Sequence, residues 1–227
     1  DRRQRQMCIR DRQQAAEGVK EIMLDKKFGA SGNHVVVEEF LTGPEVSVLS
    51  FTDGKVVKPM VSSMDHKRAN DHDTGLNTGG MGTVAPNPYY TPAIAAECME
   101  KIFLPTIKAM NAEGCPFKGC LYFGLMLTPD GPKVIEYNCR FGDPETQVVL
   151  PLLQSDLLQI MLACTNGTLA DTEVKFSDGA AACVILASGG YPVSYEKGKP
   201  ISGLTDGQLA GEENITVYHL SLIHISE

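Results

Sequence analysis

The chain has 227 residues, 43% of them hydrophobic, which is enough to bury one sizeable core in one or two domains. Its 20 basic and 28 acidic residues give a net charge of -8, which argues against a nucleic-acid surface and against a polybasic membrane anchor. No apolar run could span a membrane, and the seven cysteines form neither a disulfide framework nor a zinc motif. We therefore expect a cytoplasmic protein whose partners are small molecules.

Both ends of the chain are predicted to be non-native. Residues 1–12 read DRRQRQMCIRDR and residues 220–227 read LSLIHISE. Codons that encode MCIRDR are the reverse complement of codons that encode LSLIH, which is typical of a sequencing adaptor flanking a gene fragment. We leave both tails out of the fold prediction. A natural basic arm is the alternative interpretation of the first tail.

The first half of the remaining sequence predicts a helix followed by antiparallel strands. Residues 13–27 have apolar side chains at helical spacing. The β-rich runs at 35–40, 45–51 and 55–61 predict three strands joined by Gly-containing turns. Residues 63–88 are polar and Gly-rich without core periodicity, so they predict a long loop of the kind that is usually functional or disordered.

The second half predicts two helical regions and a hairpin. Thr91 is the expected N-cap of a helix over residues 91–113, and a hairpin then joins CLYFGLMLT to KVIEYN. A helical stretch over 145–164, with a second helix starting at Ser155, follows. The composition changes after Gly167, where the run AAACVILAS predicts a buried strand. The prediction is an α+β fold with a boundary near residue 166, which gives domains at 13–165 and 166–219.

The strand KVIEYN carries the first chemical signal. A two-residue period sends Val134, Glu136 and Asn138 to one face and Ile135 and Tyr137 to the other. A carboxylate and an amide oxygen on one face suit Mg²⁺, which completes its coordination with water and nucleotide phosphates.

Charged residues follow immediately after this strand. Arg140 offers a planar fork of donors for phosphate oxygens, and Asp143 and Glu145 are expected to hold it by charge-assisted hydrogen bonds. The alternative interpretation is a structural ion-pair cluster at the end of the strand.

Two further segments are candidate binding sites. The polar stretch over 65–82 combines His66, Lys67 and Arg68 with glycines that allow an anion to approach the backbone, although a solvated loop is the alternative. Residues 38–45 bracket an apolar turn with glutamates, which suits adenosine, and an exposed acidic hairpin is the alternative here.

These segments, taken in order, resemble the glycinamide ribonucleotide synthetase family of ATP-grasp ligases. The octapeptide RFGDPETQ at 140–147 resembles that family's signature throughout. The segments VVVEEFLTGPEVS, DHKRANDHDTGLNTGGMG, LYFGLM and VIEYN occur in the family's order, so the resemblance covers residues 13–219. The implied fold is an incomplete ATP-grasp domain followed by part of a small β-rich domain.

The resemblance implies a role for each segment. The implied catalytic residues are Arg140 and Lys67, and the implied ligands of Mg²⁺ or Mn²⁺ are Glu136 and Asn138. ATP would be bound by Glu38, Glu39, Phe40, Leu41 and Glu45. Substrate would be bound by Asp65, His66, Arg68, Asn77, Thr78, Gly79, Gly80 and Asp143.

The implied reaction belongs to purine biosynthesis. ATP would phosphorylate the carboxylate of glycine, and the amine of 5-phosphoribosylamine would then displace phosphate. The sequence shows no N-terminal nucleotide-fold domain and no upstream ATP-clamping lobe, so we expect this chain alone to be poorly active. The alternatives are another ATP-grasp carboxylate-amine ligase and a non-catalytic nucleotide-binding module.

Overall fold

The computed structural model describes residues 12–72, 74–206 and 208–220. It contains two compact units, Asp1–Thr42 and Gly43–Glu227. Apart from Arg12 and Leu220, the two tails predicted to be non-native lie outside the described residues. In the part of the chain that is described, no helix combines the length and the apolar character needed to cross a membrane.

The first unit is helical and then irregular. Helix α1, Arg12–Val19, continues into a π-helical turn at Lys20–Leu24, and a 3-10 turn follows at Gly29–Asn33. The predicted helix is therefore confirmed, but the predicted strand at 35–40 is wrong. Val36 and Val37 are 83% and 88% exposed, and β-branched residues favour a strand only where a partner covers them. No described strand pairs with this segment.

The second unit carries all the described strands and the remaining helices. The strands are β1 Glu45–Thr52, β2 Val57–Pro59, β3 Met64–Asn70, β4 Thr74–Ala85, β5 Gly119–Thr128, β6 Gly131–Asn138 and β7 Ala181–Val184. The helices are α2 Pro92–Cys98, α3 Leu104–Ala112, α4 Thr146–Val149 and α5 Leu157–Asn166, with a π-helical segment at Met99–Phe103 and 3-10 turns at Leu150–Leu152 and Leu169–Asp171.

An antiparallel sheet in the order β2-β1-β5-β6 forms the centre of this unit. The two predicted hairpins that build it are confirmed. Asp53 stabilises the turn of the β1–β2 hairpin, because its Oδ1 accepts the backbone N–H groups of Lys55 at 2.9 Å and Val56 at 3.0 Å. Gly131 turns the second one with a φ of +103°, which glycine adopts without strain.

A second antiparallel sheet has the order β3-β4-β7. The loop predicted over 63–88 is therefore wrong, because most of these residues form the β3–β4 hairpin. Their side chains are largely exposed or half-buried, so cross-strand backbone hydrogen bonds stabilise the hairpin without the apolar alternation that would reveal it in the sequence. Strand β7 pairs with β4 from Gly82 opposite Val184 to Ala85 opposite Ala181. The domain boundary near residue 166 stays a prediction.

Local signals set the ends of the helices. The Thr91 hydroxyl accepts the N–H of Ile94 at 3.3 Å, which confirms the predicted N-cap of α2. Helix α5 begins at Leu157, two residues after the predicted start at Ser155. Asp156, rather than Ser155, caps it by accepting the N–H of Gln159 at 3.0 Å. Gly167, with a φ of +76°, ends it.

The central sheet separates two hydrophobic cores, because side chains alternate between its faces. Helices α2 and α3 cover one face, and the residues buried there include Val46, Val48, Leu121, Phe123 and Leu125. Helices α4 and α5 pack on the opposite face, where Leu49, Phe51 and Tyr122 are buried. This opposite face also carries the polar residues of the candidate site.

Candidate active site

A row of side chains across the central sheet forms the base of the site. Ser47 of β1 lies opposite Gly124 of β5, and Gly124 lies opposite Glu136 of β6. A Cβ at Gly124 would lie 2.8 Å from Cγ of Glu136, so only glycine leaves room for that carboxylate. Glu45 lies two residues before Ser47 and therefore shares this face.

A β-bulge at Ile135 corrects the predicted faces of β6. Leu125 pairs with Val134 and Gly124 with Glu136, so Ile135 is an extra residue in the strand. Glu136 and Asn138 share a face, as predicted. The placement of Val134 beside them was wrong, because Val134 packs with Phe123 and Leu125 on the opposite face. The extra residue shifts the two-residue period by one.

Asn138 lies opposite Tyr122 and is close to Arg140. Arg140 Nη2 donates to Asn138 Oδ1 at 3.4 Å, and Arg140 Nη1 donates to the carbonyl of Phe141 at 2.8 Å. Asn138 Nδ2 is buried and has no hydrogen-bond partner among the described residues. Rotation of the amide would place its oxygen there, but it would also turn the NH2 group towards the donor Arg140 Nη2, so the oxygen stays on the Arg140 side.

The donor set around Asn138 fits a magnesium ion that also binds phosphate. Glu136 and Asn138 supply one carboxylate and one amide on the same face, and Mg²⁺ needs only one or two protein ligands when phosphates complete its coordination. Within the described ranges, no group of three or more His, Cys, Asp or Glu residues could hold a metal ion. Glu136 and Asn138 are thus the protein ligands we consider.

Lys67 of β3 reaches the same face. Its Nζ donates to Oε2 of Glu45 at 2.6 Å, with the two side chains 24% and 34% exposed. Burial alone would lower the pKa of Lys67, but the charge and hydrogen bond of Glu45, together with the charges of Asp65 and Glu136, raise it above its ordinary value. Lys67 is therefore a protonated ammonium group among three carboxylates.

The octapeptide loop at 140–147 enters the core through Glu145, which is 2% exposed. Glu145 Oε1 accepts hydrogen bonds from the Tyr122 hydroxyl at 3.0 Å and from the Ser47 hydroxyl at 3.3 Å. Asp143 instead accepts a hydrogen bond from Gln147 at 2.8 Å. The expectation that Asp143 and Glu145 hold Arg140 directly was wrong, because Glu145 is buried on polar side chains of the sheet.

Gly80 of β4 packs directly on this loop. A Cβ at Gly80 would lie 2.4 Å from Pro144 Cδ and 2.8 Å from Asp65 Oδ1, and Gly80 has a φ of +128°. The hairpin and the octapeptide therefore meet at Gly80. Thr78 stabilises the approach, because its hydroxyl donates to the Lys67 carbonyl at 2.9 Å and accepts the N–H of Gly80 at 3.0 Å.

The structure gives the following contacts and environments for the other predicted site residues. The Gly79 N–H donates to the Tyr191 hydroxyl at 3.4 Å. His66 and Asn77 are exposed. Arg68 donates to the carbonyl of Gly75 at 2.7 Å, within the β3–β4 hairpin. Glu38, Glu39, Phe40 and Leu41 belong to the first compact unit, where they form no helix or strand.

Sequence reasoning missed two residues of this site, Ser47 and Tyr122. Their hydroxyl oxygens lie 2.7 Å apart, and both bond to Glu145. Burial and then the charge of Glu145 raise the pKa of Tyr122, so its hydroxyl remains protonated and can donate. Polar residues in otherwise apolar strands were the available signal.

Comparison with known proteins identifies the family of this chain. Residues 5–146 match the family model described as "Phosphoribosylglycinamide synthetase, ATP-grasp (A) domain". Over 198 residues the chain is 48% identical to a phosphoribosylamine–glycine ligase of Fusobacterium nucleatum, and the match covers 87% of this chain and 46% of the relative. The chain thus spans about half the length of that relative.

Solved structures agree on the fold. The crystal structure of a phosphoribosylamine–glycine ligase from Thermotoga maritima superposes with a TM-score of 0.62 at 36% identity, covering 74% of this chain and 43% of that one. An L-amino acid ligase from Bacillus licheniformis, at 18% identity and a TM-score of 0.55, covers 79% of this chain and 42% of its own and shares the fold alone. The predicted α+β ATP-grasp fold is confirmed, and the chain belongs to the phosphoribosylglycinamide synthetase family.

Proposed function

We propose that this chain is part of an ATP-dependent ligase that joins glycine to 5-phosphoribosylamine. The observation that carries this proposal is the convergence of Glu136, Asn138, Arg140 and Lys67 on one polar face of a family-matched ATP-grasp domain. The product would be glycinamide ribonucleotide, together with ADP and phosphate.

Each group in the site has a proposed task. Glu136 and Asn138 would hold Mg²⁺ or Mn²⁺, which neutralises the charge of the triphosphate. Arg140 would donate to the transferring phosphoryl group, and Lys67 would supply a second positive charge there. Glu45 would accept from the ribose hydroxyls.

The remaining proposed contacts come from the rest of the chain. Residues 38–41 would hold the adenine. Glycine and phosphoribosylamine would be bound by Asp65, His66, Arg68, Asn77, Thr78, Gly79, Gly80 and Asp143.

The proposed reaction has two steps. A carboxylate oxygen of glycine attacks the γ-phosphorus of ATP, so an acyl phosphate forms as the bond to ADP breaks. The nitrogen of phosphoribosylamine then attacks the acyl carbon, phosphate leaves, and the amine releases a proton. The protein contributes alignment and charge neutralisation to the first step and exclusion of water from the acyl phosphate between the steps.

The setting that we propose is a reducing cytoplasm. The six cysteines in the described part of the chain are free, at positions 98, 115, 120, 139, 164 and 183. The net charge of -8 supports small molecules, rather than nucleic acid or an anionic membrane, as partners.

The test uses the complete gene product that carries this chain. Formation of glycinamide ribonucleotide from glycine, phosphoribosylamine and ATP is measured with Mg²⁺ and with Mn²⁺, alongside other amino acids and amines. Glu136→Ala should abolish metal-dependent ATP binding and turnover while the circular dichroism spectrum stays unchanged. Product from a different acid and amine pair would indicate another ligase of this fold, and unchanged ATP binding by Glu136→Ala would indicate a non-catalytic module.

A further inference from the structure

We propose that Glu145 is a positioning residue that acts through Arg140, by fixing the octapeptide loop so that the guanidinium group faces the bound triphosphate. This inference rests on the proposed function, which assigns the phosphate contact to Arg140. Glu145 itself faces the core and touches no proposed substrate group.

The Glu145 carboxylate is held by two strands at once. Its Oε1 accepts from Tyr122 of β5 at 3.0 Å and from Ser47 of β1 at 3.3 Å, and the two hydroxyl groups lie 2.7 Å apart. Hydrogen bonds to a charged acceptor are stronger than neutral ones. The side chain of Glu145 therefore anchors the loop to the centre of the sheet.

The anchor continues along the backbone to Arg140. A Cβ at Gly142 would lie 2.3 Å from Glu145 Oε2, so the carboxylate lies directly against the Gly142 backbone. Phe141 immediately precedes Gly142, and its ring packs on the Phe51 ring with a centroid separation of 6.3 Å. The Phe141 carbonyl accepts from Arg140 Nη1 at 2.8 Å. Movement of Glu145 would therefore displace the acceptor that orients the guanidinium group.

Stability alone does not account for a carboxylate in this position. Glu145 Oε2 is buried and has no hydrogen-bond partner among the described residues. An unsatisfied buried acceptor is costly, and an apolar side chain of similar shape often stabilises such a position more. A carboxylate that remains there is better explained by the geometry it gives to the loop.

The experiment measures how Glu145 and Arg140 are coupled in nucleotide binding. Dissociation constants for MgATP are determined in the complete gene product for wild type, Glu145→Gln, Arg140→Gln and the double variant. Competition against a fluorescent ATP analogue keeps millimolar constants measurable. Glu145→Gln should weaken MgATP binding about tenfold in the wild-type background, which corresponds to about 1.4 kcal/mol. In the Arg140→Gln background it should change binding less than twofold.

Two further variants separate positioning from general destabilisation. Tyr122→Phe removes one donor and leaves the carboxylate, so it should weaken MgATP binding about threefold and again only when Arg140 is present. It provides the test if Glu145→Gln does not fold. Glu97→Gln is the control, because it removes the same charge from helix α2 and should leave binding unchanged.

Additive losses in the single and double variants would overturn the inference while leaving the proposed function intact. A Glu145→Gln variant that binds MgATP as tightly as the wild type would overturn the inference as well. Failure of the wild-type protein to bind MgATP would overturn the proposed function, and the inference with it.

Discussion

The ion pair between Lys67 and Glu45 should be strong in the free protein and weak in the nucleotide complex. Lys67 is proposed to contact the transferring phosphoryl group and Glu45 the ribose, yet in the structure they bind each other at 2.6 Å. MgATP would give each of them another partner. Their mutual coupling should therefore fall when nucleotide is bound.

The structure sets the expected size of this coupling. Two unit charges 2.6 Å apart attract by about 6 kcal/mol at an effective dielectric constant of about 20. Partial desolvation and residual screening offset most of this attraction, because the side chains remain 24% and 34% exposed. A net coupling of about 1 to 2 kcal/mol remains. The raised pKa of Lys67 keeps this contribution intact below pH 10.5, and it is lost as the pH rises through the folded-state pKa.

A double-mutant cycle checks the prediction. Lys67→Met, Glu45→Gln and the double variant are unfolded with urea at pH 8, with and without saturating MgATP. The pair Lys101 and Glu97, 2.8 Å apart on the surface of a helix, provides a matched control whose coupling should be barely measurable in both conditions. A coupling below about 0.3 kcal/mol in the free protein, or one that nucleotide leaves unchanged, would refute the reasoning.

Two further predictions concern the turn at Asp53 and the contact between Gly80 and the octapeptide loop. Asp53→Asn should destabilise the protein by about 2 kcal/mol at pH 7, because the carboxylate accepts three backbone N–H groups. Burial would raise the pKa of Asp53, but the backbone hydrogen bonds together lower it below its ordinary value of 3.8. The difference in unfolding free energy between wild type and Asp53→Asn, measured with urea, should therefore persist above pH 3.8 and disappear as the pH falls through the folded-state pKa. Gly80→Ala should lower the free energy of unfolding, measured by thermal denaturation, by about 1 to 3 kcal/mol, because the new Cβ would overlap Pro144. Gly198→Ala also has a positive φ but open space around the new Cβ, so a cost as large at Gly198 would remove steric overlap as the cause.

Local signals made much of the fold predictable. The turn at Asp53 and Gly54 and the cap at Thr91 depend on side chains within three residues of the backbone groups they bind. Such contacts can be predicted from a sequence because the partners lie close together along the chain. The shared face of Glu136 and Asn138 was also predictable, since the two residues lie after the bulge and two positions apart.

Features that depend on distant partners were not predictable. The β3–β4 hairpin has little apolar alternation, and β4 pairs with β7 about 100 residues later in the sequence. Glu145 was assigned to Arg140, its neighbour in sequence, whereas it binds Ser47 and Tyr122, 98 and 23 residues away. Lys67 was expected in the site, but its pairing with Glu45 requires the two sheets to be placed first.

The extra residue at Ile135 has a consequence for anyone who varies this protein. It allows Val134 to satisfy the α2–α3 side of the sheet, while Glu136, two positions later, projects to the other side. Regular pairing through Ile135 would put Val134 and Glu136 on the same surface, whereas deleting Ile135 would make them adjacent residues that still face opposite sides. Substitutions in the hydrophobic start of the strand and in its polar end can therefore be made independently, provided that the bulge between them is kept.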